Sequence, residues 1–251
     1  MSDLLASRAK IGIVTPSVNT VTQPECDNLR PAGVTNHIAR MFTPNDPMSS
    51  DADFAELVRR IDIALEDSVK SIMTCEPDHI VLGVSAESIW GGGLEPSRKI
   101  AKRIKAIAGA SMGVTQASES LPAALKAFGV KKRVGLITPY FDVAHKHLKQ
   151  FVEEIGFELV RAKHLAYKGP VLIAHATGKE IRDALRTVDG EDIEAIIQFG
   201  ANFPVQAIAA EAEGWLGKPV ISVNTANYWY ALRSLGIQDK CSGYGRLMAE
   251  H

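Results

Sequence analysis

Three short segments of this chain occur twice in the same order, and this internal repeat constrains the fold more than any other sequence feature. The segments at residues 10–16, 78–81 and 123–130 match those at 133–139, 194–197 and 230–237. One match of this length can arise by chance, but three in the same order indicate two copies of one structural unit. We therefore predict that the chain folds as two similar halves.

Short apolar runs alternate with longer amphipathic stretches. Runs typical of buried strands occupy residues 11–14, 80–82, 134–137, 195–197 and 220–223. Helical patterns include 53–74, with Phe54, Val58 and Ile61 on one face, and 141–155. This alternation predicts an α/β fold with parallel sheets covered by helices. The first half is placed at 1–118, with a chain return near 230–251, and the second at 119–229.

Composition excludes several classes of function. The formal net charge of −1 offers no basic surface for nucleic acid or anionic membranes. No apolar run approaches the roughly 20 residues that span a bilayer, and the polar first ten residues do not resemble a secretion signal, so a cytoplasmic protein is expected. The three cysteines form no CxxC pair and the histidines no HExxH motif, so no metal site is predicted.

Polar residues follow several predicted strands. Ligands of open α/β sheets bind beyond the carboxyl ends of the strands, so a binding site is expected in the cleft between the halves. Hydroxyl, amide and backbone N–H groups in these loops suit a carboxylate or oxyanion. The candidate binding residues are Ser17, Asn19, Gly83, Val84, Gly200, Ala201, Asn202, Asn224 and Thr225. The alternative is that Ser17, Asn19 and Thr225, together with Ser85, cap helices.

Four residues are candidates for catalysis: Glu87, Ser85, Tyr140 and His175. Glu87 lies beside Trp90 and a run of glycines, where a desolvated carboxyl can transfer protons; the alternative is a solvated side chain near a helix start. Ser85 and Tyr140 can donate to an oxyanion, or Tyr140 can simply pack. His175 precedes a predicted helix and fits a structural role as well as a catalytic one.

At these motifs the sequence resembles the aspartate/glutamate racemase superfamily, in the branch of arylmalonate decarboxylase and maleate cis-trans isomerase. The resemblance rests on residues 12–20, 83–85, 138–140, 200–204 and 224–226 and spans nearly the whole chain. It implies two Rossmann-like halves with parallel sheets, related by a pseudo-two-fold axis, with the site in the cleft between them. It also implies an enzyme without metal or organic cofactor that acts on a small organic acid.

This chain departs from the family pattern at the cysteine positions. Members usually place one cysteine from each half on opposite faces of the substrate, and the decarboxylase keeps only the second. The matching positions here are Gly83 or Val84, and Gly200. Cys26, Cys75 and Cys241 lie elsewhere and are interpreted as structural or incidental. Two-thiol racemisation and thiol addition are therefore not expected, whereas the anion pocket remains plausible.

Three functions stay open from the sequence. The first is a cofactor-free decarboxylase or related lyase, with Glu87 or His175 supplying a proton. The second is an isomerase like maleate isomerase, or a hydrolase or hydratase in which Glu87 activates water. The third is an inactive homologue that binds small carboxylates. A homo-oligomer is expected because such folds commonly assemble, although the sequence shows no interface signature.

Overall fold

The computed structural model describes residues 3–251 as two four-stranded parallel sheets covered by helices. The strands are β1 Ala9–Pro16, β2 Val34–Met41, β3 His79–Leu82, β4 Gly113–Thr115, β5 Arg133–Thr138, β6 Glu158–His164, β7 Ala195–Gln198 and β8 Val220–Ser222. The helices are α1 Thr22–Asn28, α2 Asp51–Ile63, α3 Leu65–Met73, α4 Glu95–Ala108, α5 Ala117–Ala127, α6 His145–Glu154, α7 Gly178–Val188, α8 Gln206–Leu216, α9 Val223–Ser234 and α10 Arg246–Glu250. The predicted α/β class is confirmed.

The two sheets repeat one topology. Their strand orders are β2-β1-β3-β4 and β6-β5-β7-β8. Gly12 of β1 pairs with Ile80 of β3, and Gly135 of β5 pairs with Ile196 of β7. These pairs occupy equivalent positions in the repeated segments, so the repeat predicted the duplicated sheet correctly.

The helices after the last strand of each sheet pack together and contact both halves. Helix α5 follows β4 and packs against α9, β4 and β8, whereas α9 follows β8 and packs against β3, β4 and α1 as well as β8. One hydrophobic cluster accordingly contains Ile13 of β1 together with Leu136 of β5 and Ile197 of β7. The chain return to the first sheet thus begins with α9, at residue 223; the domain limits themselves stay a prediction.

Two helix predictions need correction. The single helix predicted at 53–74 is divided at Ala64 into α2 and α3. Helix α2 starts two residues earlier than predicted, at Asp51, after a capping box in which Ser50 and Asp53 bond each other's backbone N–H. The stretch predicted to start at Phe141 begins as a 3₁₀ turn at Asp142–Ala144 before α6. The break at Ala64 places α2 over the strand ends and α3 against β1 and β2.

Candidate active site

A small cavity lies between the halves at the carboxyl ends of β1, β3, β5 and β7. Its volume is about 50 Å³, and a buried water needs roughly 10–15 Å³ by this measure, so it holds a few waters or a small acid. Eight of the predicted site residues line it: Asn19, Gly83, Val84, Ser85, Glu87, Tyr140, Ala201 and Asn202. Helix α2 closes one side with Phe54, Leu57, Val58 and Ile61. Ser85 and Asn202 therefore share one pocket across the two halves.

Hydrogen bonds from Ser85 join the two halves at this cavity. Its Oγ lies 2.9 Å from the Tyr140 hydroxyl and accepts a hydrogen bond of 2.9 Å from the backbone N–H of Ala201. The two hydroxyls carry two hydrogens, and their mutual bond uses one. Because neither makes a further hydrogen bond to the described side chains, one O–H remains available to a ligand. Burial raises the pKa of Tyr140 well above its ordinary value, so this hydroxyl stays protonated.

Glu87 is the buried carboxyl residue of the cavity wall. Both of its carboxyl oxygens are buried without a hydrogen-bond partner among the described residues. Burial, with a smaller contribution from the negative charge of Asp62, raises the pKa of Glu87 to about 8. At neutral pH the carboxyl is therefore mostly protonated and able to donate.

The asparagine side chains of the cavity wall are occupied by structural bonds. The Oδ1 of Asn19 accepts from the backbone N–H of Val21 and Thr22 at 2.9 and 3.0 Å. The Oδ1 of Asn202 accepts from Thr20 N–H at 3.0 Å, and its Nδ2 donates to the Pro170 carbonyl at 2.8 Å. Both residues therefore shape the wall through bonds to neighbouring backbone, and Asn202 ties the halves together.

The remaining predicted residues lie outside the cavity wall. Ser17 bonds the backbone of Thr43 through its hydroxyl. Gly200 lies against Pro139, in the loop after β7. Asn224 and Thr225 are buried behind the cavity. His175 is exposed at the end of the 3₁₀ turn Leu172–His175, so its proposed proton transfer in the cavity needs correction.

A second buried carboxyl was missed by the sequence analysis. Glu25 of α1 accepts from Asn224 Nδ2 at 2.8 Å and from the backbone N–H of Gln206 at 3.1 Å. The same Asn224 amide donates to the Ala201 carbonyl at 2.9 Å. Burial raises the pKa of Glu25 to about 7. The available signal was its spacing, because Glu25 lies midway between buried Val21 and Leu29, one helical turn from each.

Two kinds of feature are absent from residues 3–251. No group of three or more His, Cys, Asp or Glu side chains there is arranged to hold a metal ion. No helix in the same range is long and apolar enough to cross a bilayer.

The buried Glu87 makes stability depend on pH. The pKa of Glu87 is about 8 in the folded protein and 4.5 as its ordinary value. The protonated side chain therefore contributes fully to the free energy of unfolding below pH 4.5, and this contribution is lost as the pH rises towards 8. Relative to the wild type, we expect Glu87→Gln to be similarly stable at pH 5 and more stable above pH 8, by a few kcal/mol on the order expected for such pKa differences. Urea unfolding across this range measures the difference. The exposed Glu191→Gln is the control, and a pH-independent difference for Glu87→Gln would contradict the prediction.

Comparison with known proteins identifies the family. The family model described as arylmalonate decarboxylase matches residues 65–248. The chain belongs to the arylmalonate decarboxylase family. It is accordingly an enzyme, of the lyase or isomerase type.

Individual relatives fall into two activities. A maleate isomerase of Nocardia farcinica is 25% identical over 246 residues, covering 96% of each chain. The arylmalonate decarboxylase of Bordetella bronchiseptica is 32% identical over 130 residues, which cover 50% of this chain and 53% of that protein.

Solved structures show the same fold. A mutant of the Nocardia farcinica maleate cis-trans isomerase with a covalently bound succinylcysteine intermediate superposes with a TM-score of 0.85 at 24% identity, covering 96% of this chain and 98% of that one. A crystal structure of arylmalonate decarboxylase gives a TM-score of 0.68 at 21% identity, covering 95% and 98%.

The glycines at the expected thiol positions of the arylmalonate decarboxylase family are tightly packed. A Cβ on Gly83 would lie 2.7 Å from Thr22 Cγ2, and one on Gly200 would lie 2.5 Å from Pro139 Cδ. Gly200 also has a φ of +140°, which disfavours any L side chain. Of the three cysteines, Cys26 is buried within α1, and none lines the cavity. Cys241 precedes a short further helix, α10, that the sequence analysis missed.

Proposed function

We propose that this protein is a cofactor-free decarboxylase of a small organic acid. The substrate would carry two carboxylates on one carbon, so that one stabilises the charge left when the other departs as CO2. One observation carries the proposal. Glu87, neutral and without a partner, lines the same cavity as the Ser85–Tyr140–Ala201 cluster. The residues that carry a proton donor and an oxyanion donor thus belong to the wall of one small cavity.

The chemistry divides between these groups. The bond from the α-carbon to one carboxylate breaks, CO2 leaves, and the electron pair remains as an enediolate on the other carboxylate. The free hydroxyl hydrogen of the Ser85–Tyr140 pair stabilises that charge. The Glu87 carboxyl then transfers its proton to the α-carbon and becomes a carboxylate.

The surroundings of the leaving group support the same reaction. The cavity wall is largely apolar, with Phe54, Leu57, Val84 and Ile173 among its residues. No Lys, Arg or His lines it. A carboxylate held against apolar side chains is poorly solvated, which favours its loss as neutral CO2.

An isomerase is the second candidate, favoured by the nearly full-length match to maleate isomerase. Thiol addition to the double bond has no nucleophile here, because the matching positions are glycine or valine and the cavity contains no cysteine. An isomerase would therefore depend on proton transfer by Glu87 alone.

A substrate panel in D2O separates the two reactions. The panel contains alkyl- and arylmalonates together with maleate and other unsaturated acids, and products are followed by CO2 release and NMR. We expect CO2 from a substituted malonate and one deuterium on the α-carbon of the product. Isomerised alkene without CO2 would favour the second candidate. Binding without any turnover across the panel would favour the inactive homologue.

The oxyanion donors provide a further prediction. Ser85→Ala and Tyr140→Phe are each expected to lower kcat about 10²- to 10³-fold, because each removes a hydroxyl from the pair that faces the developing charge. Tyr230→Phe, a half-buried tyrosine that does not line the cavity, is the control. Steady-state kinetics on the substrate found above measure the effect, and a kcat within about twofold of wild type for both variants would refute the assignment.

A further inference from the structure

Glu87 lies between two spaces rather than one. On one side is the cavity, and on the other is a surface groove of about 580 Å³ between α2 and α4. We call it the α2–α4 groove; it is lined by Ala55, Asp62, Trp90, Lys99, Arg103 and neighbouring residues. Val58 and Glu87 are the residues common to both linings. Glu87 is therefore the polar side chain of the wall that separates the groove from the cavity.

A second side would shorten the proposed catalytic cycle. Each turnover converts the Glu87 carboxyl into a carboxylate, which is costly in a buried position without partners. The proton must be replaced before the next turnover. Product in the cavity covers the face that has just donated, so replacement from the other face avoids waiting for product release.

The groove differs from the cavity in its chemistry. Five charged side chains line the groove: Arg59, Asp62, Glu95, Lys99 and Arg103. Among the described residues that line the cavity, the titratable side chains are those of Glu87 and Tyr140. Asp62 is held by Arg103, which also pairs with Glu66. The negative charge of Asp62 favours the protonated form of Glu87. The groove thus presents exposed and half-exposed charged groups to solvent, and Glu87 forms part of its lining with its carboxyl oxygens buried.

We propose that the α2–α4 groove is the path by which a solvent acid, either hydronium or a buffer acid, returns a proton to Glu87. The acid gives its proton to a Glu87 oxygen and leaves as water or the conjugate base, while substrate and product use the cavity. This inference rests on the proposed function, since it assumes that Glu87 donates a proton in each turnover.

A substitution that fills the groove tests the path. Ala55→Trp places a large side chain in the groove, and Ala52→Trp places the same side chain about one helical turn earlier, at an exposed position outside the groove lining. For Ala55→Trp we expect a first turnover of CO2 release close to wild type, and a steady-state rate lower by about tenfold or more, because the two kinetic phases separate chemistry from later steps. Ala52→Trp should match the wild type.

The outcomes distinguish the two proposals. A wild-type protein that releases no CO2 from any acid of the panel overturns the proposed function and the proton path with it. Wild-type turnover together with an unchanged steady-state rate in Ala55→Trp overturns the proton path alone. Ala55→Leu provides a smaller filling group if the tryptophan variant does not fold, and melting temperatures verify folding of each variant.

Chemical labelling gives a readout that needs no substrate. A hydrophobic carbodiimide reacts with protonated carboxyls, so at pH 7 it should modify Glu87, as detected by peptide mass spectrometry. The proton path predicts about tenfold slower labelling in Ala55→Trp than in Ala52→Trp. Equal labelling rates in the two variants would contradict access through the groove.

Discussion

Replacing Glu87 with glutamine is expected to abolish most turnover while leaving ligand binding intact. Glutamine keeps the size and neutral charge of the protonated side chain but carries no transferable carboxyl proton. General acid catalysis contributes about 10²- to 10⁴-fold, so kcat should fall by that factor. Steady-state kinetics and calorimetric titration of a substrate analogue measure the two effects.

The pH profile of the wild type provides an independent check on this residue. Because the protonated form donates, kcat should be constant at lower pH and should decline as the pH rises past about 8, the pKa of Glu87. Glu191→Gln should retain both the rate and the profile. A Glu87→Gln variant with wild-type kcat would exclude Glu87 as the proton donor.

Among substitutions that add a single methyl group at the site, Gly200→Ala is expected to be the most destabilising. The new Cβ would lie 2.5 Å from Pro139 Cδ, on a backbone with φ of +140°. Strain of this kind costs about 1–3 kcal/mol, and the overlap with the proline ring adds to it, so we expect a loss of about 2–4 kcal/mol. Urea unfolding measures it.

Gly214→Ala is the matched control for that substitution. Gly214 lies within α8 with no heavy atom within 4 Å of the added Cβ, so the exchange should stabilise the helix by about 0.5–1 kcal/mol. Equal stabilities for Gly200→Ala and wild type would show that the loop yields easily. If the loss is as expected, Gly200→Cys cannot simply restore a family thiol at this position.

The fold was predictable because its signals are local and repeated. The buried strands read directly as apolar runs, and the matched segments at 10–16 and 133–139 fixed the duplication. The division at Ala64 was not predictable, because alanine favours helix and nothing in its neighbours interrupts the pattern. That break depends on tertiary packing, which places α2 over the cavity and α3 on the sheet.

The site was predictable in position more than in residue roles. Strand-end placement correctly brought Ser85, Glu87 and Tyr140 to one cavity. It could not tell that the amide of Asn202 would be consumed by backbone partners, since donors and acceptors from both halves meet only in three dimensions. Glu25 was missed for the same reason, because its partners Gln206 and Asn224 lie about 180 and 200 residues away in the chain.

The paired helices α5 and α9 bear on how substrate enters. Each helix contacts strands of both sheets, so swinging the halves apart about a hinge would strip apolar surface from both. We therefore expect no open and closed domain positions in this enzyme. A ligand would instead enter by movement of short segments at the rim of the cavity, such as the Leu172–His175 turn beside Pro170. One half expressed alone would expose the apolar surface that the other half normally covers.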